Sequence, residues 1–188
     1  MLLKLTVLFV LIASTVFALD AGQKAADFTL KDGTGKQVSL ADYKGKNVLV
    51  IFVSVRCPYS NAFNKVMAQL TQNYSAKGIE VIGINANSTE TAEDVAAHAK
   101  KNFPFIVLKD VNNKIADLYG ASVTPEAFLI DETGTIRYHG ALGNSNNPTT
   151  DESRANSNDV RAALDALLNG KEIAKNKTKA FGCSIKRV

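Results

Sequence analysis

A single junction constrains this chain more than any other feature. Residues 47 to 54 read NVLVIFVS, an unbroken apolar and β-branched run, and three residues later the chain reaches Cys57-Pro58. Such a run suits a strand covered on both faces, where neither face is left to water. Pro58 then opens a segment with helical spacing. Phe63, Val66, Met67 and Leu70 fall on one face, and Gly78 closes the segment. Proline is favoured at a first helical position because an N–H there would have no partner anyway. The junction predicts a buried strand feeding a helix, with Cys57 at the helix N-terminus.

The remaining chain repeats this alternation. Residues 28–30 and 37–40 flank Asp32-Gly33-Thr34-Gly35 and read as a hairpin. Residues 79–84 (IEVIGI) read as a second buried strand, and a helix is expected to start at Ser88 or Thr89. That helix carries acidic residues at its start and Lys100-Lys101 at its end, the polarity that suits its dipole. A short strand at 105–108 and a short helix at 113–119 follow, the latter ended by Gly120. Residues 126–130 and 135–138 flank Asp131-Glu132-Thr133-Gly134 as a closing hairpin, and 158–168 is the last helix. The pattern predicts an α/β domain with a central, mainly parallel sheet, helices on both faces and a closing antiparallel hairpin. The polar stretch between Gly143 and Asn158 reads as a long surface loop.

The first residues are read apart from the fold. Lys4, an apolar run from Leu5 to Phe17 and small residues up to Ala18 have the layout of a secretory signal peptide. Asp20 and Lys24 cut the run shorter than the roughly 20 apolar residues of a spanning helix. The expected division is a leader over 1–18 and one domain over 19–188, exported to a periplasmic or secreted location and free of the membrane after cleavage. The net charge of +4 is spread along the chain, with no basic stripe interleaved with aromatics, so nucleic acid is not an expected partner. Two cysteines and two histidines, none at ligand spacing, exclude a structural zinc site, and no metal or other cofactor is expected. His98 and His139 have no partner at triad spacing, and packing or solvated roles are expected for both. The lysine-rich tail reads as solvated. Asn73, Asn87 and Asn176 fit glycosylation sequons.

The chemistry concentrates at Cys57. Unpaired backbone N–H groups and the positive end of a helix dipole favour a thiolate over a thiol. Sites of this kind can bring a cysteine from about 8.5 into the range of roughly 3.5 to 7.5. Arg56 adds a fixed positive charge next door, and Ser54, three residues back, is placed to aim its hydroxyl at the sulfur. The alternative is a buried cysteine acting as a small hydrophobe.

The chain resembles the thioredoxin-like superfamily, within its peroxiredoxin (AhpC/TSA) and redoxin branch. The resemblance rests on Ala26-Asp27-Phe28-Thr29-Leu30, Ser54-x-x-Cys57-Pro58, the segment from Tyr119 to Pro125 (YGASVTP), Phe128-Leu129-Ile130-Asp131-x-x-Gly134, and a cysteine-bearing tail from Phe181 to Lys186. It implies that Thr124–Pro125 is a cis peptide lying against the reactive sulfur. Thr124, Pro125 and Pro58 would then shape the edge where a thiol partner docks in an extended pose. It also implies an oxidoreductase whose substrate is a peroxide or a protein disulfide, re-reduced by an external thiol donor, either a thioredoxin-like protein or a small thiol. Measured against Cys-x-x-Cys, Ser54 holds the first position, so no disulfide can form within that motif. Peroxiredoxins place a proline seven residues before the cysteine, where this chain has Val50, and many carry an arginine where it has Pro125. Arg56 or Arg137 is the available substitute for that charge.

Cys183 leaves three readings open. It resolves a sulfenic acid formed on Cys57 by condensing to a disulfide; it forms a permanent staple with Cys57, worth about 5 kcal/mol in the loop-entropy model; or the two never meet. The competing classes are a peroxidase, an exported thiol–disulfide oxidoreductase acting on protein partners, and a non-catalytic thioredoxin-like binding module.

Overall fold

The computed structural model describes residues 18–143 and 158–188. The expected leader, apart from Ala18, and the expected polar loop over 144–157 lie outside the described residues. The elements are β1 (Thr29–Lys31), β2 (Gln37–Ser39), β3 (Asn47–Phe52), α1 (Pro58–Ala62), α2 (Asn64–Tyr74), β4 (Ile79–Asn85), α3 (Ala92–Asn102) and β5 (Ile106–Lys109). They continue with α4 (Lys114–Tyr119), β6 (Val123–Thr124), β7 (Glu126–Ile130), β8 (Ile136–Ala141), α5 (Asn158–Leu168) and β9 (Cys183–Ser184).

Seven strands form one sheet in the order β2-β1-β5-β4-β3-β7-β8. β3, β4 and β5 run parallel, whereas β1, β2, β7 and β8 join by antiparallel pairings. The parallel character expected of the sheet is therefore confined to its three central strands, and the sheet as a whole is mixed. The closing hairpin is β7–β8.

β3 lies between β4 and β7, and its residues from Val48 to Phe52 are all buried. Alternate side chains go to opposite faces, as strand geometry requires. Leu49 and Ile51 pack with Met67 and Leu70 of α2, Val95 of α3 and Leu164 of α5. Val48, Val50 and Phe52 pack with Phe28, and with Ile115 and Tyr119 of α4. Tyr119 meets Phe128 edge-on, with ring centroids 5.2 Å apart. Each large apolar side chain buried in this way stabilises the fold by roughly 1.5–3 kcal/mol.

Two departures from the sequence reading bear on the site. The helix expected from Pro58 onward is interrupted at Phe63, a buried residue whose φ of −97° and ψ of 1° break the helical run between α1 and α2. The next helix starts at Ala92 rather than at Ser88 or Thr89, capped by the Thr91 hydroxyl accepting from Asp94 N at 3.1 Å. Residues 88–90 are committed elsewhere, because Ser88 N donates to Lys186 O at 2.8 Å and Glu90 turns inward. A second, two-stranded sheet, β6 against β9, was not foreseen from the sequence. Among the described residues no helix is long and apolar enough to cross a membrane.

Candidate active site

β3 delivers the chain to Cys57 at the sheet's C-terminal edge. Cys57 caps α1 with extended backbone (φ −82°, ψ 116°), and only 3% of its surface is exposed. Its Sγ accepts from Ser60 N at 3.4 Å and donates to the Thr124 carbonyl at 3.2 Å. The Thr124–Pro125 peptide is cis. Pro58 is the first residue of α1 and is exposed. The structure thus brings Cys57, Thr124, Pro125 and Pro58 to one edge.

Two residues expected on the sulfur do other work. The Ser54 hydroxyl accepts from the backbone N of Cys57 at 3.1 Å and donates to Glu90 Oε1 at 2.7 Å. It acts on the backbone that carries the sulfur, because the turn from β3 presents that N–H to it. The Arg56 side chain is exposed and pairs with Asp94 at 3.1 Å, in the first turn of α3. Arg137 pairs with Asp131 at 3.2 Å in the closing hairpin. Neither arginine has a sulfur among its hydrogen-bond or ion-pair partners.

The group that organises this edge is Glu90, only 3% exposed. Its carboxylate accepts from Ser54 Oγ, from the backbone N–H of Val55 at 3.0 Å and of Arg56 at 2.9 Å, and from Asn85 Nδ2 at 2.5 Å. Burial pushes the Glu90 carboxyl up, but the Ser54 hydroxyl, Val55 N, Asn85 and Arg56 N bonds outweigh it and hold the group below the ordinary glutamate range. Lys109 reaches in from β5 to Asn85 Oδ1 at 2.8 Å and to Asn87 O at 2.6 Å. Burial in turn pulls the Lys109 ammonium down from its usual value. In the sequence Glu90 is one of several acids ahead of a helix, and nothing local separates it from Glu93.

The partner position of a dithiol motif lies on the other side of Cys57 from Ser54. With Cys57 as the helix cap, the residue one turn into α1 is Ser60, fully buried, whose hydroxyl accepts from Ser54 N at 3.1 Å. A second sulfur in this helical turn would stand at 60, so Ser60, not Ser54, fills the partner position of a motif opened by Cys57.

The second sulfur comes from the tail. β9 pairs antiparallel with β6, setting Cys183 opposite Thr124, the residue whose carbonyl accepts from Cys57. Both cysteines are free thiols. Burial, and then hydrogen bonding and charge interaction with Cys57, push the Cys183 thiol up to about 11. The tail is fastened on both sides. Ile185 N donates to Ser122 O at 2.9 Å, Lys186 N to Asn87 Oδ1 at 2.8 Å, and Val188 N to Asn113 Oδ1 at 2.9 Å. Arg187 donates to Asp117 Oδ1 at 2.8 Å and to Ala121 O at 2.9 Å. Ile185 is 5% exposed and belongs to the core. Lys186 and Arg187 are exposed, but their backbones are not free as a solvated tail implies.

The structure also places the sequon asparagines and the two histidines, both of which pack as expected. Asn87 is 4% exposed and holds the tail, so the folded chain cannot present it for glycosylation, whereas Asn73 and Asn176 are exposed. His139 stacks on Phe128 and lies 2.8 Å from Glu126 Oε1, a buried carboxylate that also accepts from Ser122 N at 2.9 Å. It therefore braces the segment around Pro125. His98 packs edge-on to Phe103, and its burial keeps it below the usual histidine range.

Known proteins resemble this chain in sequence and fold. The thiol-disulfide oxidoreductase ResA of Halalkalibacterium halodurans is 32% identical over 117 residues, covering 62% of this chain and 65% of that protein. The chain thus spans a little under two thirds of that relative. A hypothetical protein from Sinorhizobium meliloti 1021 superimposes with a TM-score of 0.83 at 34% identity, covering 92% of this chain and 97% of the other. A putative thiol:disulfide interchange protein DsbE from Chlorobium tepidum gives a TM-score of 0.63 at 28% identity, covering 78% and 99%. The fold is thioredoxin-like. The family model described as AhpC/TSA matches residues 21–139, a stretch running from the entry segment through β3, Cys57 and the cis-proline to β8, and the chain belongs to that family.

Proposed function

We propose that this chain is a thiol–disulfide oxidoreductase in which Cys57 is the attacking sulfur and Cys183 the resolving one. One observation carries the reading: two free thiols meet across the Thr124 backbone, one on a helix cap and one on the tail strand. A Cys57 thiolate attacks one sulfur of a disulfide, forming a mixed disulfide and releasing the first thiol of the substrate. Cys183 then loses its proton and attacks Cys57 Sγ. The Cys57–Cys183 bond forms, and the second substrate thiol leaves with the proton. An external thiol donor returns the pair to the dithiol by the same exchange.

The perturbation of Cys183 fits that order. At neutral pH it keeps its proton, so it does not compete for the first attack. Two of its causes, the hydrogen bond and the charge interaction with Cys57, vanish once Cys57 is bound in a mixed disulfide. The thiol becomes easier to ionise at the step that needs it. The step requires no cofactor. Names carried by the relatives support the disulfide substrate. Arg56 and Arg137, the substitutes for a peroxide-polarising arginine, pair with Asp94 and Asp131 instead. Residues 19–188 would act as one redoxin domain, exported behind a leader over residues 1–18.

The test is rapid mixing of the reduced protein with a disulfide and, separately, with hydrogen peroxide. Wild type should reduce the disulfide and accumulate an internal Cys57–Cys183 bond. Cys57→Ser should be inert, and Cys183→Ser should stop at the mixed disulfide. Oxidation by peroxide alone would replace this reading with the peroxidase one. Equal behaviour of wild type and Cys57→Ser would remove both.

A further inference from the structure

The edge that a thiol partner would use beside Cys57 already holds a strand. In an extended encounter, a protein substrate pairs its backbone with an exposed strand edge and delivers its sulfur to the nucleophile. Here β9 occupies that edge, with Ser184 opposite Val123 and Cys183 opposite Thr124. The arriving sulfur is the chain's own.

This strand is not loosely laid on. Ile185 is in the core, its N–H donates to Ser122 O, and Lys186, Arg187 and Val188 are each held by backbone or side-chain bonds to the rest of the domain. Gly182 packs so closely on the Thr124 carbonyl that any Cβ there would overlap its oxygen. A strand tethered through a short segment competes at an effective concentration on the order of millimolar, so a free protein strand at about 10 μM is outcompeted roughly 100-fold before the extra anchors are counted.

We infer that β9 closes the strand-docking edge beside Cys57 to protein partners, so that the disulfides this site reduces are small, soluble ones. This inference rests on the thiol–disulfide reading above and narrows its substrate class. A small disulfide RSSR needs no strand pairing. It has only to bring one sulfur in line with Cys57, whose remaining exposure is small and whose chain neighbours Arg56 and Pro58 are exposed. The balance is RSSR plus two thiols giving two RSH and the Cys57–Cys183 bond. The two electrons and the two protons come from the protein dithiol, and RSSR is the oxidant.

The experiment uses the full chain as Cys183→Ser, which keeps the β9 backbone and traps Cys57 adducts. The reduced protein is mixed with oxidised glutathione or with insulin at equal disulfide concentration, and intact mass is followed with time. The glutathione adduct should form about 100-fold faster than the insulin-chain adduct. Adding Ile185→Ala, which removes the core anchor of β9, should shrink that ratio by speeding the insulin reaction. Equal rates for the two disulfides, or a ratio untouched by Ile185→Ala, overturn the inference and leave the thiol–disulfide reading standing. Failure of Cys57 to react with either disulfide overturns both. Should Ile185→Ala not fold, amide exchange on the parent Cys183→Ser chain decides. Residues 183–185 should stay protected with insulin present, and their exposure during insulin reduction would refute the proposal.

Discussion

Two buried carboxylates at opposite ends of the sheet do the same job by different means. Asp131, at the β7–β8 turn, accepts from Thr133 N at 2.9 Å, Thr135 N at 3.0 Å and the Thr133 hydroxyl, and it pairs with Arg137. All of these partners lie within six residues of it. Glu90 shapes the loop before Cys57, and its partners Ser54, Val55 and Arg56 are 34 to 36 residues away. The near carboxylate makes a turn that its own segment nearly specifies. The far one joins two strand ends and ties β4's exit loop to the turn that carries Cys57. A local contact costs little chain entropy to form, whereas a distant one exists only once the domain has closed around it. Stability and reactivity should therefore depend on the two very unequally.

The sharpest separation is expected at Glu90. Glu90→Ala strands the N–H groups of Val55 and Arg56 and the Ser54 hydroxyl, and should cost about 3 kcal/mol or more, since each orphaned buried donor costs roughly 1–3 kcal/mol. Denaturant unfolding measures that loss, and alkylation of Cys57 should change rate in the same variant because the loop carrying it is released. Glu90 also sets a pH signature. Its folded value is depressed, so its contribution is present above the unfolded value near 4.5 and is lost as pH falls through the lower folded one. Glu90→Gln should flatten that acid-side decline by one proton's slope, and an unchanged slope would break the contrast. Asp131→Ala should cost less, about 1–2 kcal/mol, with Cys57 alkylation unaltered; a matching change in alkylation would erase the distinction drawn here. Smallest of all, Arg56→Met removes an exposed pair with Asp94 and should shift unfolding by less than about 1 kcal/mol.

The same contrast explains what could be read from residues alone. The β3 run, the two hairpins, the Gly120 stop and the Cys57-Pro58 helix start were legible because each is fixed by a local pattern of apolar spacing, turn residues or caps. The start of α3 is not legible in the sequence because Ser88 and Glu90 serve distant partners, Lys186 and the Cys57 loop, instead of their own helix. β6 and β9 are too short, at two residues each, to leave any periodicity. Cys57 could be singled out, but Ser60, Glu90 and Asn87 could not, since their roles come from where the closed sheet sets them. The spacing of Ser54 from Cys57 is legible, but its hydroxyl serves the Cys57 backbone N–H and not the sulfur.

Gly182 has a consequence for the spacing of the two thiols. With hydrogen as its only substituent, it lets the tail descend onto the Thr124 carbonyl. One methyl group at that place would prise the last strand outward and widen the gap an electron pair must cross between sulfurs. In the proposed dithiol exchange, the approach of Cys183 to Cys57 would thus have a tolerance set by the smallest residue available, at a position that takes no part in the chemistry.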